Sequence, residues 1–247
     1  MLNIILPVYN EEGRLRKGVE TTVNYLERSH QGEYELTIVD NASSDETSRI
    51  AESLCEDYPQ VQYFRINEKG VGAAFRKGVD ENESPIVGYM DIDLSTDVRH
   101  IDDVLRLFFS DGSIGMVNGS RWARGSDACG RKWYRNLTSH GLTWFLKIAV
   151  GMQATDSICG FKFFAKELAE KLVSEADASE NGWFYIIELL LRAERSDCVV
   201  RELPVRWCDD SENSKVEVIP LIRNYCEQTA RLRRVLKSED AHKAIGG

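Results

Sequence analysis

Two aspartates one residue apart, Asp91 and Asp93, end an apolar run in the segment GYMDIDLSTD. Alternate residues of an extended chain project to the same side, so both carboxylates can face one ligand. Carboxylates this close repel one another unless a cation or a hydrogen-bond network holds them. Mg²⁺ and Mn²⁺ bind through one or two carboxylates and complete their shells with phosphate oxygens. The pair predicts such a cation site, and an exposed acidic loop without a ligand is the alternative.

The segments around this pair alternate between strand and helix. Continuous apolar runs predict buried strands over residues 3–9, 35–40, 61–66, 85–93 and 115–121. Helical stretches separate them, and this alternation implies right-handed crossovers. We expect an α/β fold, a single domain over residues 1–237 with a mostly parallel central sheet flanked by helices. The tail, residues 238–247, is expected to be disordered.

The residues that follow these strands form the candidate site, because ligands of open parallel sheets bind beyond the carboxyl ends of the strands. The turn after the first strand reads PVYNEEG and lacks the G-x-G-x-x-G pattern of dinucleotide-binding proteins. Its two glutamates would also repel a pyrophosphate placed there. The sequence therefore excludes a dinucleotide-binding turn.

The distribution of charge along the chain indicates which classes of binding partner to expect. The chain has 247 residues and a formal net charge of −9, which excludes a general nucleic-acid binder. Residues 121–147 nevertheless hold six basic residues against one acid, and residues 223–237 hold five against one. Such stretches indicate contact with phosphates or an anionic membrane surface, and solvated helix faces are an equal alternative.

The cysteines and the apolar segments indicate the cellular compartment in which the protein is expected. The six cysteines contain no C-x-x-C pair, which predicts reduced thiols rather than a disulfide framework or a zinc site. The opening residues predict a strand and not a signal peptide. The most apolar long segment, LTWFLKIAVGM, is too short to span a bilayer. We therefore expect a cytoplasmic protein, either soluble or peripheral on the cytoplasmic face of a membrane.

Eight segments that follow one another along the chain carry a family resemblance when they are taken together. They are ILPVYNEE, IVDNASSDET, EKGVGAAFRKG, MDIDLST, NGSR, RNLTSHG, DSICGFKFF, and ELPVRW with a later SK. Together they resemble the family 2 inverting glycosyltransferases, which have a GT-A (Rossmann-like) fold. The resemblance is to the branch that contains the dolichyl-phosphate β-glucosyltransferases and dolichol-phosphate mannosyltransferases.

The resemblance implies that the donor is a nucleoside diphosphate sugar of the UDP-glucose or GDP-mannose type. In this family pattern Glu11 accepts hydrogen bonds from the ribose, and Asp40 and Asn41 meet the edge of the base. Asn41 departs from the family, which usually has a second aspartate at this position. The donor-binding residues that the resemblance implies are Pro7, Tyr9, Glu11, Asp40, Asn41, Asp91, Ile92 and Lys215.

The resemblance also implies a Mg²⁺ or Mn²⁺ cofactor. Asp91 and Asp93 would bind the ion, with Ser95 near its coordination shell. Breaking the bond between sugar and diphosphate develops negative charge on the leaving nucleotide, which the ion and cationic side chains stabilise. Arg121 and Lys215 are the side chains implied for neutralising phosphate charge, and Arg121 is counted among the catalytic residues.

For the acceptor side, the resemblance implies a catalytic carboxylate, and the candidate is Asp156, the first residue of the segment DSICGFKFF. A helix or turn cap is its structural alternative. A polyprenyl phosphate acceptor is already an anion and needs little help from a base, whereas a hydroxyl acceptor needs one. Ile186 stands where relatives commonly carry an aspartate, which leaves the acceptor open.

Three functions therefore stand as alternatives. The first is transfer of a hexose to a polyprenyl (dolichyl-like) phosphate, with peripheral membrane contact or a membrane partner protein. The second is the same donor chemistry on a soluble hydroxyl acceptor, such as a glycan, a peptide or a metabolite. The third is a non-catalytic nucleotide-sugar binder.

Overall fold

A computed structural model describes residues 1–30, 33–130, 133–208 and 218–246. The strands within these ranges are β1 (Leu2–Val8), β2 (Tyr34–Asn41), β3 (Val61–Ile66), β4 (Ile86–Met90), β5 (Ile114–Ser120), β6 (Asp127–Cys129), β7 (Phe161–Ala165), β8 (Val199–Pro204) and β9 (Arg206–Cys208). The helices are α1 (Leu15–His30), α2 (Thr47–Asp57), α3 (Val71–Asp80), α4 (His100–Ser110), α5 (Trp133–Val150), α6 (Lys166–Glu175), α7 (Trp183–Glu194) and α8 (Val218–Gly246).

Seven strands form the central sheet, in the order β3-β2-β1-β4-β7-β5-β8. Strand β7 runs antiparallel to both of its neighbours, and the other pairs in the sheet are parallel. The α/β fold with a mostly parallel sheet is therefore confirmed. Because β1, β2, β4 and β5 all run in one direction, the loops that follow them emerge at the same edge of the sheet.

The two faces of the sheet are each covered by helices. On one face Leu15 of α1 and Leu54 of α2 pack with Ile4, and on the other face Phe75 of α3 and Leu190 of α7 belong to a second buried cluster. Burial on both faces explains why the strands read as continuous apolar runs instead of alternating with polar residues.

The final helix corrects the expectation of a disordered tail, because α8 continues through residues 238–246. Leu232 and Leu236 bury one side of this helix. Ion pairs from α7 then hold the extension: Arg192 lies 3.1 Å from Glu239, and an Arg195 nitrogen lies 2.6 Å from Asp240. The partners of the tail are thus far away in the sequence, where local composition gives no sign of them. None of the helices in the described ranges is long and apolar enough to cross a bilayer.

A disulfide between Cys129 and Cys208 corrects the prediction that all the thiols are reduced. The parallel pairing of β6 with β9 sets these two residues opposite each other, with their Cα atoms 4.7 Å apart, which suits a disulfide. The two cysteines are 79 residues apart, so no local spacing announces the bond. The cysteines therefore no longer support the expectation of a reducing, cytoplasmic compartment.

The disulfide predicts how many thiols an alkylating reagent can modify. After denaturation without reductant, four cysteines of this chain should be alkylated, namely Cys55, Cys159, Cys198 and Cys226. After reduction all six should react. Mass spectrometry of the protein, purified without reductant, measures both counts, and a cross-linked peptide containing Cys129 and Cys208 is the positive control. Six modified cysteines before reduction would contradict the structure.

Candidate functional site

The acidic pair lies in the loop that follows β4. The Tyr89 hydroxyl donates a hydrogen bond of 2.8 Å to Asp91 Oδ1, and the Ser95 amide donates one of 2.9 Å to Asp93 Oδ1. Leu94, between Asp93 and Ser95, has a φ of 54°, a left-handed conformation that folds the loop back. Burial, and then the neighbouring charge of Asp93, raise the pKa of Asp91 to about 7. The pair therefore carries repulsion that its own hydrogen bonds leave uncompensated.

Gly160 forms the wall against which Asp91 packs. The Asp91 amide donates a hydrogen bond of 3.1 Å to the Gly160 carbonyl, so the two backbones run close together. A Cβ at position 160 would overlap the Asp91 carboxylate. Only glycine leaves room for the carboxylate here, and this role of Gly160 was not foreseen from the sequence.

The pair fits a divalent cation that shares its ligands with a phosphorylated molecule. Within the described ranges, no group of three or more His, Cys, Asp or Glu side chains is arranged to hold a metal ion. Two carboxylates are nevertheless enough for Mg²⁺ or Mn²⁺ when phosphate oxygens complete the shell. The raised pKa of Asp91 also fits, because a bound cation would offset the repulsion between the two acids. Ser95 is buried and its carbonyl accepts a 2.8 Å hydrogen bond from the Cys208 amide, so its place in a coordination shell stays a prediction.

The loop after β1 brings Tyr9 and Glu11 to the same edge. Tyr9 is exposed, and its hydroxyl lies 2.6 Å from the Lys69 ammonium. Glu11 forms a two-pronged ion pair with Arg14, with distances of 2.8 and 2.9 Å. Burial raises the pKa of Glu11, and the hydrogen bond from Arg14 offsets only part of this rise. Both side chains lie in the loop after β1, at the edge of the sheet that also carries the acidic pair, and their contact with a nucleoside stays a prediction.

Asp40 is the last residue but one of β2, and its carboxylate is already occupied by protein donors. It accepts hydrogen bonds from the Ser43 amide at 2.8 Å, the Ser48 hydroxyl at 2.7 Å, and Tyr63 and Arg65, both at 3.1 Å. Burial alone would raise the pKa of Asp40, but these hydrogen bonds outweigh it and lower the pKa. The carboxylate thus holds the loop between β2 and α2, and contact with a base stays a prediction.

The side-chain amide of Asn41, at the end of β2, connects the end of β1 to the residue before α3. Its Nδ2 donates to the Val8 carbonyl at 2.8 Å, and its Oδ1 accepts from the Gly70 amide at 3.1 Å. An ionised aspartate has no donor for the Val8 carbonyl. The departure from the family pattern at this position therefore has a structural reason in this chain.

The remaining residues predicted to bind the sugar donor are Pro7, Ile92 and Lys215. Pro7 lies within β1, paired with Val39 of β2. The Ile92 side chain is buried in the core against Gly18, so a donor could meet only its backbone. Lys215 lies outside the described residues.

Arg121 and Asp156, predicted to act on the phosphate and the acceptor, form one buried ion pair. Arg121 Nε lies 2.6 Å from Asp156 Oδ2 and Nη2 lies 2.8 Å from Oδ1, and the Arg121 amide also donates to Oδ2 at 3.1 Å. Burial alone would raise the pKa of Asp156, but its hydrogen bonds with Arg121 outweigh this effect and lower it. Asp156 is therefore an ionised partner of Arg121 in this state, and not a free base.

The small sheet of β6 and β9 lies beside this ion pair and the acidic loop. The guanidinium carbon of Arg121 is 5.4 Å from the ring centre of Trp207 in β9 and 5.7 Å from that of Trp122. Thr96 forms a bridge with Trp207, next to the hydrogen bond between Ser95 and Cys208. The disulfide thus secures a strand that touches both the predicted metal side and the predicted acceptor side.

Lys162, in β7, is a further site residue that sequence reasoning missed. Its side chain is fully buried, and its ammonium donates a 2.6 Å hydrogen bond to the Cys159 carbonyl. Burial lowers the pKa of Lys162, whereas the nearby charges of Asp156 and Asp91 act in the opposite direction. The signal in the sequence was a single lysine among aromatic residues in the segment GFKFF, which lysine rarely occupies without a partner.

With this geometry established, comparison with protein families identifies the domain. Residues 3–173 match the family described as glycosyl transferase family 2. The chain belongs to this family. The match covers β1 to β7 and so includes both the acidic loop and the ion pair.

Curated relatives agree with this assignment. The chain is 28% identical over 242 residues to the glycosyltransferase AglD of Haloferax volcanii, a match that covers 94% of this chain and 38% of AglD. It is 29% identical over 230 residues to the human dolichyl-phosphate beta-glucosyltransferase, which covers 87% of this chain and 69% of that protein. The chain thus spans well under half of the haloarchaeal relative's length.

Solved structures share the fold. Glucosyl-3-phosphoglycerate synthase from Mycobacterium tuberculosis, in complex with Mn²⁺, UDP and glucosyl-3-phosphoglycerate, superposes with a TM-score of 0.64 at 15% identity, covering 96% of this chain and 79% of that one. A mannosyltransferase from Pyrobaculum calidifontis, in complex with GDP-Man and Mn²⁺, gives 0.59 at 16% identity, covering 100% and 64%. At these identities the likeness shows the fold alone.

Substitution of Gly160 tests the arrangement around Asp91. In Gly160→Ala the new methyl group displaces the Asp91 carboxylate, so binding of Mn²⁺ together with UDP should weaken about 10- to 100-fold, as for other changes that reorient a metal ligand. Calorimetric titration measures the affinity, and thermal melting checks the fold. Gly112→Ala is the matched control, because nothing lies within 4 Å of a Cβ at that position. Equal affinities in the two variants would contradict the packing described here.

Proposed function

We propose that this chain transfers a hexose from a nucleoside diphosphate sugar to a polyprenyl phosphate, with inversion at the anomeric carbon. The observation that carries the proposal is the uncompensated pair Asp91 and Asp93 at the strand edge, beside the ion pair of Arg121 with Asp156, within a family 2 domain. The names of several relatives, including the human one, specify dolichyl phosphate. The donor is of the UDP-glucose or GDP-mannose type, since fold neighbours hold UDP or GDP-Man.

The proposed cofactor is Mg²⁺ or Mn²⁺, and fold neighbours contain Mn²⁺. Asp91 and Asp93 would hold it, with Ser95 beside them. When bound, the ion would stabilise the negative charge that develops on the leaving diphosphate. The chain itself contributes a rigid loop, because the Tyr89 hydroxyl, the Gly160 backbone and the Ser95 amide fix both carboxylates before any ligand arrives.

The acceptor side of the proposal rests on Arg121 and Asp156. Asp156 uses two of the five N–H donors of the guanidinium through its carboxylate, and the remaining three could bind phosphate oxygens. Asp156 keeps the guanidinium in place and is not needed as a base, because a phosphate acceptor is already ionised. A carboxylate that is paired with an arginine cannot readily act as a base. The ion pair therefore suits a lipid phosphate acceptor better than a neutral hydroxyl acceptor, which would need a base.

A transfer assay tests the proposal and its alternatives. The protein is incubated with Mn²⁺, UDP-glucose or GDP-mannose, and a polyprenyl phosphate, an unphosphorylated polyprenol or a soluble glycan. We expect transfer from one donor to the polyprenyl phosphate only. Product formed on the glycan alone would support the soluble-acceptor alternative. Donor binding with no transfer to any acceptor would support the non-catalytic one.

The same assay tests the metal assignment. Asp93→Asn removes one ligand charge, so turnover should fall at least about 100-fold. Asp111→Asn is the matched control, since Asp111 lies after α4 and its carboxylate contacts Ser113 of its own loop and Arg201 among the residues that the structure describes. Equal turnover of the two variants would show that Asp93 does not hold the cofactor.

We further infer that α5 makes the peripheral contact with the membrane. Leu137, Trp144 and Ile148 are 65%, 68% and 65% exposed and follow one another at helical spacing, so they form one apolar face. His140 lies one turn before Trp144, beside this apolar face, and its ring is 4.2 Å from that of Trp122, so α5 runs next to the proposed acceptor side. Residues 133–150 contain no aspartate or glutamate, although the whole chain has a net charge of −9. An apolar face with a tryptophan on a helix free of acids matches an anionic bilayer surface.

Vesicle sedimentation tests this contact. The protein should sediment with vesicles that contain phosphatidylglycerol and less with pure phosphatidylcholine. The double variant Trp144→Ser with Ile148→Ser should lose most of this binding, because it removes the apolar face. Phe109→Ser, which removes an apolar side chain of α4 that is 76% exposed, is the matched control. An unbound wild-type protein, or equal losses in both variants, would rule out α5 as the contact surface.

A further inference from the structure

A row of three buried polar side chains crosses the sheet beneath the candidate site. In the antiparallel pairing, Lys162 of β7 lies directly opposite Tyr89 of β4 on one side and Asn118 of β5 on the other. Residues directly opposite each other in neighbouring strands point to the same face, so the three side chains stand in line. All three are almost completely buried, in a face that is otherwise apolar.

Each member of the row reaches a different part of the site. The Tyr89 hydroxyl bonds Asp91 on the predicted metal side at 2.8 Å. Lys162 bonds the Cys159 carbonyl at 2.6 Å, and Asn118 Nδ2 bonds the Asp156 carbonyl at 3.0 Å. Two of these contacts therefore anchor the backbone of one short turn, residues 156–160.

That turn connects the two halves of the site. At its start the Asp156 carboxylate holds Arg121, and at its end Gly160 packs against Asp91. A shift of the turn would move the ion pair relative to the acidic loop. Lys162 binds the Cys159 carbonyl and Asn118 binds the Asp156 carbonyl, so one contact holds each end of the turn.

We propose that Lys162 and Asn118 are positioning residues that fix the 156–160 turn and so set the distance between the donor and acceptor sides. The proposal rests on the function proposed above and assigns new roles within it. Neither side chain touches substrate or metal in this arrangement. Both act on the turn through its backbone carbonyls.

Three single variants separate positioning from general stability. Lys162→Met keeps the length of the side chain without the donor, and Asn118→Leu removes the second anchor without changing charge. Thr37→Val is the matched control, because Thr37 is also a buried residue of the central sheet whose hydroxyl bonds a side chain, Asn3 at 2.9 Å. All three lose one buried hydrogen bond, but only the first two lose an anchor of the turn.

The first measurement is steady-state transfer with Mn²⁺ and the donor and acceptor that the wild-type protein uses. Lys162→Met and Asn118→Leu should each lower kcat about 100-fold, as a misplaced reacting group does, while the donor KM stays within about threefold of wild type. Because both act on one turn, the double variant should lose less than the product of the two single losses. Single variants with the kcat of Thr37→Val, or a donor KM that rises in proportion to the loss of kcat, would overturn the proposal.

The second measurement is amide hydrogen exchange, which needs no substrate. Peptides that contain residues 157–160 should exchange faster in Lys162→Met and Asn118→Leu than in wild type, with no such change in Thr37→Val. Unchanged exchange in the turn would overturn the proposal whatever the activity. If the wild-type protein transfers no sugar but the turn opens as expected, the proposed function fails and the anchoring role stands. Should Lys162→Met not fold, Asn118→Leu alone decides both measurements.

Discussion

The repulsion between Asp91 and Asp93 is the constraint around which the surrounding structure is organised. Their carboxylates are held by the Tyr89 hydroxyl and the Ser95 amide, and neither bond supplies a positive charge. The fold accepts this imbalance because Gly160 leaves a space of the right size and the central strands hold the loop rigidly. The proposed cation would thus meet ligands that are already oriented, so little free energy would be lost in arranging them.

The acceptor side shows the opposite electrostatic arrangement. Arg121 and Asp156 neutralise each other at close range inside the protein, where removal of one partner typically costs about 3 to 5 kcal/mol because the other charge is left buried. The pair is therefore both part of the framework and a candidate for binding. A substitution at Asp156 changes the position of a guanidinium as well as a carboxylate, so a loss of activity there cannot by itself assign a proton-transfer role.

Local patterns in the sequence were sufficient for the buried strands of the sheet, because such strands need continuous apolar runs. The acidic pair was expected within an extended strand, whereas β4 ends at Met90 and both aspartates lie in the loop that follows it. Features that depend on distant partners were beyond such patterns. The bond between Cys129 and Cys208 follows from the pairing of two short strands far apart in the chain. The role of Lys162 depends on its opposite neighbours, Tyr89 of β4 and Asn118 of β5, which are far away in the sequence. Asp40 lies next to the end of β2, but two of its four protein donors, Tyr63 and Arg65, come from β3.

The disulfide has a topological consequence. It closes a covalent ring across a sequence separation of 79 residues, and that ring contains Asp156, Gly160 and Lys162 but neither Asp91 nor Asp93. In the chain-entropy view, a ring of this size raises the free energy of the unfolded state by about 4.5 kcal/mol. The restriction acts on the segment that carries Asp156, whereas its ion-pair partner Arg121 and the acidic pair lie outside the ring. Whether the disulfide is oxidised or reduced therefore affects the segment that carries Asp156 directly, and the segment that carries the acidic pair only indirectly.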